Sequence, residues 1–265
     1  MTLPSRLRLL SYNIQNGLST RKYSDYFTRS WKHVVPVPSR MENLDGIAEL
    51  VKAYDVVALQ EVDAGSLRSG FLNQVKYLAD KARFDYVYNQ ANRRIGVLTQ
   101  HSNAILSQIQ PSRMVEHKLP GVIPGRGALH VWYGEGHNAL HIFIMHLALG
   151  RRGRLRQIEY LAEVIGAYPY TIVMGDLNCR SDSREMQRLL ELAQLAEPLP
   201  GMNTFPSWQP TRQLDHILIS PDIKVLNASV LDWHFSDHLP IAMEVELPEQ
   251  VGQAESVPHN STETE

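Results

Sequence analysis

Four polar residues stand where short apolar, β-rich runs stop: Asn13 after residues 7–12, Glu61 after 56–60, His146 after 140–145 and Asp176 after 171–175. Two further groups, Asp215 with His216 and Asp237 with His238, stand immediately before such runs near the carboxyl end. Rigid strands that end in this way deliver carboxylates, an amide and imidazoles to loops, where reactive groups usually lie. One such strand end is ordinarily a solvated residue; six in one chain are a pattern.

The residue types point to a class of chemistry. Asn13, Glu61, Asp176, Asn178 and Asp237 offer the oxygen donors that hard divalent cations such as Mg²⁺ or Mn²⁺ prefer. Phosphoester cleavage uses such a cation to neutralise charge on the phosphoryl oxygens, together with an activated water and a proton donor for the leaving oxygen. Histidines oriented by carboxylates perform the proton work near neutral pH, and His238 with Asp215 is the expected pair.

Elements must position these groups. Strands are expected at residues 7–12, 56–59, 104–106, 128–132, 140–145, 171–174, 216–219, 225–231 and 241–245. Helical spacing joins Leu44, Ile47, Ala48 and Val51; Val75, Leu78, Ala79 and Ala82; Leu155, Ile158, Leu161, Ala162 and Ile165; and Met186, Leu189, Leu190 and Ala193. Asp182 is expected to cap the last helix, with Glu185 reaching back to it. Strands outnumber helices, so packed sheets with helices outside are expected rather than a strict βαβ alternation.

At 265 residues and 43% hydrophobic content the chain can bury a large core, and no apolar run approaches the length of a membrane span. With no secretory leader visible at the start, a cytoplasmic location is expected. Cys179 is the only cysteine, which excludes an intramolecular disulfide and a multi-cysteine metal site; a buried inert thiol is expected there. A net charge of −2 gives no global field for tethering nucleic acid. One domain is expected over residues 1–247, followed by a disordered polar tail over 248–265 (PEQVGQAESVPHNSTETE).

The motifs LSYNIQNG around Asn13, ALQEVD around Glu61, SNAILS at 102–107, MHLALG around His146, VMGDLNCR around Asp176 and Asn178, LDHILIS at Asp215 and FSDHLPI at Asp237 and His238 follow one another in a characteristic order. In that order the chain resembles a bacterial-type member of the endonuclease/exonuclease/phosphatase superfamily. That group includes pancreatic-type deoxyribonucleases, apurinic-site endonucleases, neutral sphingomyelinases and inositol polyphosphate 5-phosphatases. The resemblance implies an α/β (α+β) four-layer sandwich, two mixed β-sheets packed face to face with helices on both outer faces. It implies that Glu61 is the principal ligand of a Mg²⁺ or Mn²⁺ ion, with Asn13 and Asp237 holding the metal or its waters. It further implies that Asp176 positions or deprotonates the attacking water and Asn178 contacts the phosphate. His146, and His238 oriented by Asp215, would stabilise the transition state or move protons. Gln15 stands where some nucleases carry an acid, so one tightly bound ion is expected.

Substrate contacts are less defined. Arg151, Arg152 and Arg154 follow His146 and are candidates for a phosphate contact, with a solvated helix start as the alternative. Arg154 and Gln157 form an Arg-x-x-Gln one helical turn apart. Asn103 in SNAILS is a candidate to approach the site, whereas His101 reads as a surface histidine. Residues 19–39 alternate aromatics with cations, which suits stacking of bases, holding of a lipid headgroup or a cover over a sheet edge, the cover being preferred. Residues 202–208 are expected to form a rim loop with Trp208 as a substrate contact or as packing. The expected activity is therefore metal-dependent hydrolysis of a phosphoester, most readily a phosphodiester, in a small molecule, lipid headgroup or nucleic acid, by a monomer. A DNA endonuclease or exonuclease of the same superfamily is the alternative. An inactive phosphate-binding scaffold is the alternative from another class, disfavoured because all eight central residues are present.

Overall fold

A computed structural model of the chain describes residues 3–15, 38–63, 65, 72–95, 99–121 and 126–252, with backbone alone at 38–39, 91–95 and 99–102. Eleven strands and four α-helices are present among them. In chain order they are β1 (Arg6–Asn13), α1 (Pro38–Val51), β2 (Val56–Asp63), α2 (Gln74–Ala82), β3 (Tyr86–Ile95), β4 (Thr99–Ser107), β5 (Arg113–Lys118) and β6 (Gly127–Tyr133). There follow β7 (Leu140–His146), α3 (Arg151–Ile165), β8 (Thr171–Asp176), α4 (Arg184–Ala193), β9 (Asp215–Ile219), β10 (Lys224–Val230) and β11 (Ile241–Glu246).

The strands form a six-stranded sheet in the order β10-β11-β1-β2-β4-β3 and a five-stranded sheet in the order β5-β6-β7-β8-β9. Both are mixed, since β1 with β2 and β7 with β8 run parallel inside otherwise antiparallel neighbours. Three apolar clusters define four layers. One lies between the sheets and joins Leu9, Val56 and Ile105 to Leu129, Ile144 and Met174. A second packs α1 and α2, through Leu44, Ile47, Val75 and Leu78, against Leu10, Val57 and Leu59. The third packs α3 and α4, through Ile158, Leu161, Met186 and Leu189, against Phe143 and Val173. Central strands are buried on both faces, which is why they read as continuous apolar runs.

The two strands that periodicity does not reveal, β3 and β5, each lie at an edge of a sheet, as do β10 and β9 at the opposite edges. β5 carries Arg113, Glu116, His117 and Lys118 and has no fully buried residue, the charged composition that blunts an edge. The cap of α4 is Ser183, whose hydroxyl accepts from Met186 N, rather than Asp182. Asp182 pairs instead with Arg180, and Glu185 is drawn to Arg154. The ordered chain also extends past residue 247. Val251 is buried in the inter-sheet cluster, Gln250 donates to the Tyr170 hydroxyl and Gly252 N donates to Asn138 O, so apolar packing and hydrogen bonds carry the domain to Gly252. Residues 253–265 lie outside the described residues.

Two features of the five-stranded sheet carry predictions. Gly175 has φ of +143°, and a Cβ there would stand 1.9 Å from Met145 O on the parallel neighbour. Gly175→Ala is therefore expected to cost on the order of 4 kcal/mol or more, read as loss of the cooperative transition in urea; a stability within 1 kcal/mol of wild type, on the same ~4 kcal/mol scale, would contradict the close approach. On the outer face of this sheet His130 and His141 are buried, with His130 Nε2 and His141 Nδ1 3.0 Å apart. Burial pushes His141 down to about 4, and burial with the nearby His141, His117 and Arg113 pushes His130 down to about 2. Folded-state values below the unfolded ~6.5 mean that the neutral rings contribute stability above pH 6.5, lost as pH falls through 4 and 2. Between pH 5.5 and 4.5 the wild type should therefore lose about 2 to 3 kcal/mol per pH unit more than the His130→Gln/His141→Gln variant. Parallel slopes would show that the rings titrate in the folded protein.

Candidate active site

The strand ends meet at one rim of the sandwich. Asn13 closes β1, His146 closes β7 and Asp176 closes β8, and the parallel register sets His146 directly beside Asp176. Asn13 Nδ2 donates across the sheets to Asp176 Oδ2 at 3.1 Å. His146 Nε2 lies 3.3 Å from the same oxygen and 3.9 Å from Glu61 Oε1. From β9, Asp215 stands opposite Asp176. Its Oδ2 faces His238 Nδ1 at 2.7 Å, and ligand atoms of Asp176, Asp215 and His238 all lie within 4.8 Å of one another.

Backbone conformation is unusual at two of the site residues and at Gln15, two residues after Asn13. The β2–β4 ladder shifts register between Leu59 and Val62, and within that bulge Glu61 adopts φ of +55°. A bulge turns a side chain out of the strand's alternation, so Glu61 is half-buried between buried neighbours, with its carboxylate facing His146. Gln15 and Asn178 are also left-handed, at +44° and +51°. The other two non-glycine residues with positive φ among the described residues, Arg83 and Gln194, are helix C-caps, where that conformation is routine. Strain not explained by capping thus falls at the site.

Acidic groups are crowded here. Burial, followed by the charge of Asp215 and to a lesser degree that of Glu61, raises the Asp176 carboxyl well above the ordinary range. Burial alone would keep His238 neutral, but the charge and hydrogen bond of Asp215, with Asp176 and Asp237, outweigh it and raise its pKa. Asp215 Oδ1 is buried and has no hydrogen-bond partner among the described residues. A cluster of carboxylate and amide oxygens, repelling one another and including an orphaned carboxylate oxygen, fits a divalent cation.

Of the sequence-predicted residues, Asn13, Glu61, His146, Asp176, Asp215 and His238 are brought together. Asn178 adjoins them, its N–H donating to Asp176 Oδ1 and its Nδ2 to Leu147 O. Asp237 is buried beside His238, close enough for its charge to act on both His238 and Tyr12. Asn103 is fully buried and donates to Gly127 O, so it ties β4 to β6 between the sheets. Arg154 faces inward, contrary to its reading as a phosphate contact. Its guanidinium donates to Ala148 O and Leu149 O and pairs with Glu185, while Gln157 Oε1 accepts from Ala148 N. The Arg-x-x-Gln pair thus fastens the loop that follows His146. Arg151 and Arg152 are exposed, Arg151 lying 3.6 Å from Glu185. Trp208 is half-buried and Cys179 is buried, its thiol pushed up to about 12 chiefly by burial. Residues 19–37 of the aromatic and basic segment, and the side chain of His101, lie outside the described residues.

The profile of the Endonuclease/Exonuclease/phosphatase family matches residues 10–238, which takes in every strand end described above. The chain belongs to this family. A search of curated proteins found no match. Among solved structures, an endonuclease/exonuclease/phosphatase from Beutenbergia cavernae DSM 12333 is similar at 20% identity and a TM-score of 0.71, over 92% of this chain and 72% of that one. The Bacteroides thetaiotaomicron VPI-5482 mannosyl-6-phosphatase is similar at 17% identity and a TM-score of 0.67, over 90% and 99%. The human Nocturnin catalytic domain with bound sulfate anion is similar at 17% identity and a TM-score of 0.65, over 92% and 95%. At such identities these likenesses speak for the fold, and the family supports phosphoester hydrolysis as its chemistry. No helix among the described residues is long and apolar enough to cross a membrane.

Proposed function

We propose that this protein is a Mg²⁺- or Mn²⁺-dependent hydrolase that cleaves a phosphoester, in the first instance a phosphodiester, by in-line attack of water. The observation that carries this reading is the convergence of Asn13, Glu61, His146, Asp176, Asp215 and His238, from both sheets, on one rim within hydrogen-bond or ion-pair distance of a neighbour. Glu61, Asn13 and Asp237 would hold the cation, which when bound neutralises charge on the phosphoryl oxygens. Asp176, held at Oδ1 by the Asn178 amide and at Oδ2 by Asn13, orients the attacking water and takes its proton. The second amide proton of Asn178 is left for a phosphoryl oxygen. His238, whose Nδ1–H is directed at Asp215, presents Nε2 to the transition-state phosphoryl group, and His146 serves the opposite side.

The exposed Arg151 and Arg152 are the residues left for a distal phosphate, together with Trp208 on the rim. A monoesterase reading is supported by one relative's name, mannosyl-6-phosphatase. The test is a panel of bis-p-nitrophenyl phosphate, plasmid DNA, abasic oligonucleotide, sphingomyelin, inositol phosphates and a hexose 6-phosphate, each with Mg²⁺ or Mn²⁺ and with EDTA. Metal-dependent turnover of at least one, lost in Glu61→Ala, is expected. Turnover that survives EDTA, or that Glu61→Ala retains, would overturn the reading.

A further inference from the structure

The hairpin over residues 203–212 does more than line the rim. It is closed by Thr204 N and Phe205 N, both donating to Arg212 O at 2.8 and 2.9 Å. It then grips the segment that carries Asp237 and His238. Leu239 N donates to Thr204 O at 2.8 Å, Ser207 N donates to Asp237 O at 2.7 Å, and the Ser207 hydroxyl donates to Ser236 O at 2.6 Å. The Phe205 ring lies 4.8 Å from the imidazole of His238.

Within this clasp one side chain touches the Asp215 carboxylate. Thr204 is fully buried, and its hydroxyl donates to Asp215 Oδ2 at 2.6 Å, the same oxygen that faces His238 Nδ1. The backbone N–H groups of Leu214 and Asp215 both donate to Thr204 Oγ1 at 3.3 Å. A hydroxyl has one proton and two lone pairs. With both lone pairs facing amides, its proton has one direction left, toward the carboxylate. Oδ2 is thereby pinned between two donors, which fixes the carboxylate and leaves Oδ1 without a partner among the described residues.

We propose that Thr204 is a positioning residue that fixes the orientation of the Asp215 carboxylate, and through it the Nδ1–H form and the aim of the His238 ring. The proposal rests on the reading of His238 as part of the hydrolytic site. A residue that acts through another in this way typically changes activity by about 10- to 100-fold without touching substrate. Its signature is an effect on kcat with KM nearly unchanged, because ground-state contacts are not removed.

The experiment compares wild type with Thr204→Val, which removes the hydroxyl at nearly constant shape, Thr204→Ala, and Thr204→Ser, which keeps the hydroxyl. Two quantities are read: the low-field NMR signal of the His238 Nδ1 proton, and kcat and KM on the best substrate of the panel. In wild type and Thr204→Ser the proton signal is expected at the same low-field position, with kcat within about threefold. In Thr204→Val or Thr204→Ala the signal should move upfield or broaden away, with kcat about 10- to 100-fold lower and KM within about threefold. A folded Thr204→Val with the wild-type signal and kcat overturns the proposal. So does a folded Thr204→Ser that has lost the signal, which decides the matter if the Val and Ala variants do not fold. Should wild type hydrolyse nothing in the panel, the hydrolase reading fails while the NMR comparison still decides the role of Thr204.

Discussion

Glu61→Ala is expected to lower turnover of the best phosphoester by about 10³-fold or more, because a bound cation supplies several kcal/mol of transition-state stabilisation and each 1.36 kcal/mol is tenfold. The residue is suited to such a test. Its carboxylate stands on a bulge at φ of +55° and is half-buried, so it is not a packing element of the core. Removing it also removes a negative charge from the crowd around Asp176. The metal-free variant should therefore unfold at the same temperature as wild type or slightly above it. Calorimetric titration with Mn²⁺ should show the binding heat weakened or abolished, and Mn²⁺ should no longer raise the melting temperature as it does when a ligand binds only the folded state. Glu61→Gln, which keeps an oxygen donor but not the charge, should lie between the two in affinity. A Glu61→Ala protein that binds Mn²⁺ as wild type does would remove Glu61 from the metal, whatever its activity.

How much of this was legible in the sequence divides along physical lines. Strands buried on both faces, such as β7 and β8, announce themselves as apolar runs, and the polar residue that ends each is visible as a break in the run. Asn13, Glu61, His146 and Asp176 are visible in the sequence for that reason, and Asp215 as the polar residue that opens such a run. A solvated edge strand makes no such signal: β5 is held by pairing with β6, and its charged residues follow from solvent on its outer side. Contacts between elements are also hidden. Arg154 next to Arg151 and Arg152 reads as one basic cluster, but a position two or three residues further along a helix turns it away from the exposed side and onto Glu185 and the loop carbonyls. Thr204 carries no reactive signature by itself, and only its hydrogen bond to Asp215, 11 residues away, shows its place. The buried pair of His216 with Glu197 is similar: His216 Nδ1 meets Glu197 at 2.7 Å and Nε2 meets Cys179 O at 2.8 Å, so the histidine beside Asp215 secures the Asn178 loop. The packing of residues 248–252 is not legible in the sequence because polar composition hides one buried valine, Val251.

The second large effect is expected at the Asp215–His238 pair, and its size is less informative than its non-additivity. His238→Ala should reduce kcat by about 10³-fold, within the 10²- to 10⁴-fold range of a lost proton-transfer group. Asp215→Ala should reduce it comparably, because the 2.7 Å contact at Nδ1 sets both the ring's aim and which nitrogen carries the proton. If the two act as one unit, the double variant should be little worse than the worse single one, whereas independent roles would multiply to about 10⁶-fold. Asp215→Asn sharpens the comparison. It preserves shape but offers the Nδ1 position an amide that can either accept or donate, and loses the charge that raises the His238 pKa. Its kcat should fall close to that of Asp215→Ala, as happens when a carboxylate's work is to select a tautomer and balance an imidazolium. Multiplicative losses in kcat would show that the two residues serve separate steps.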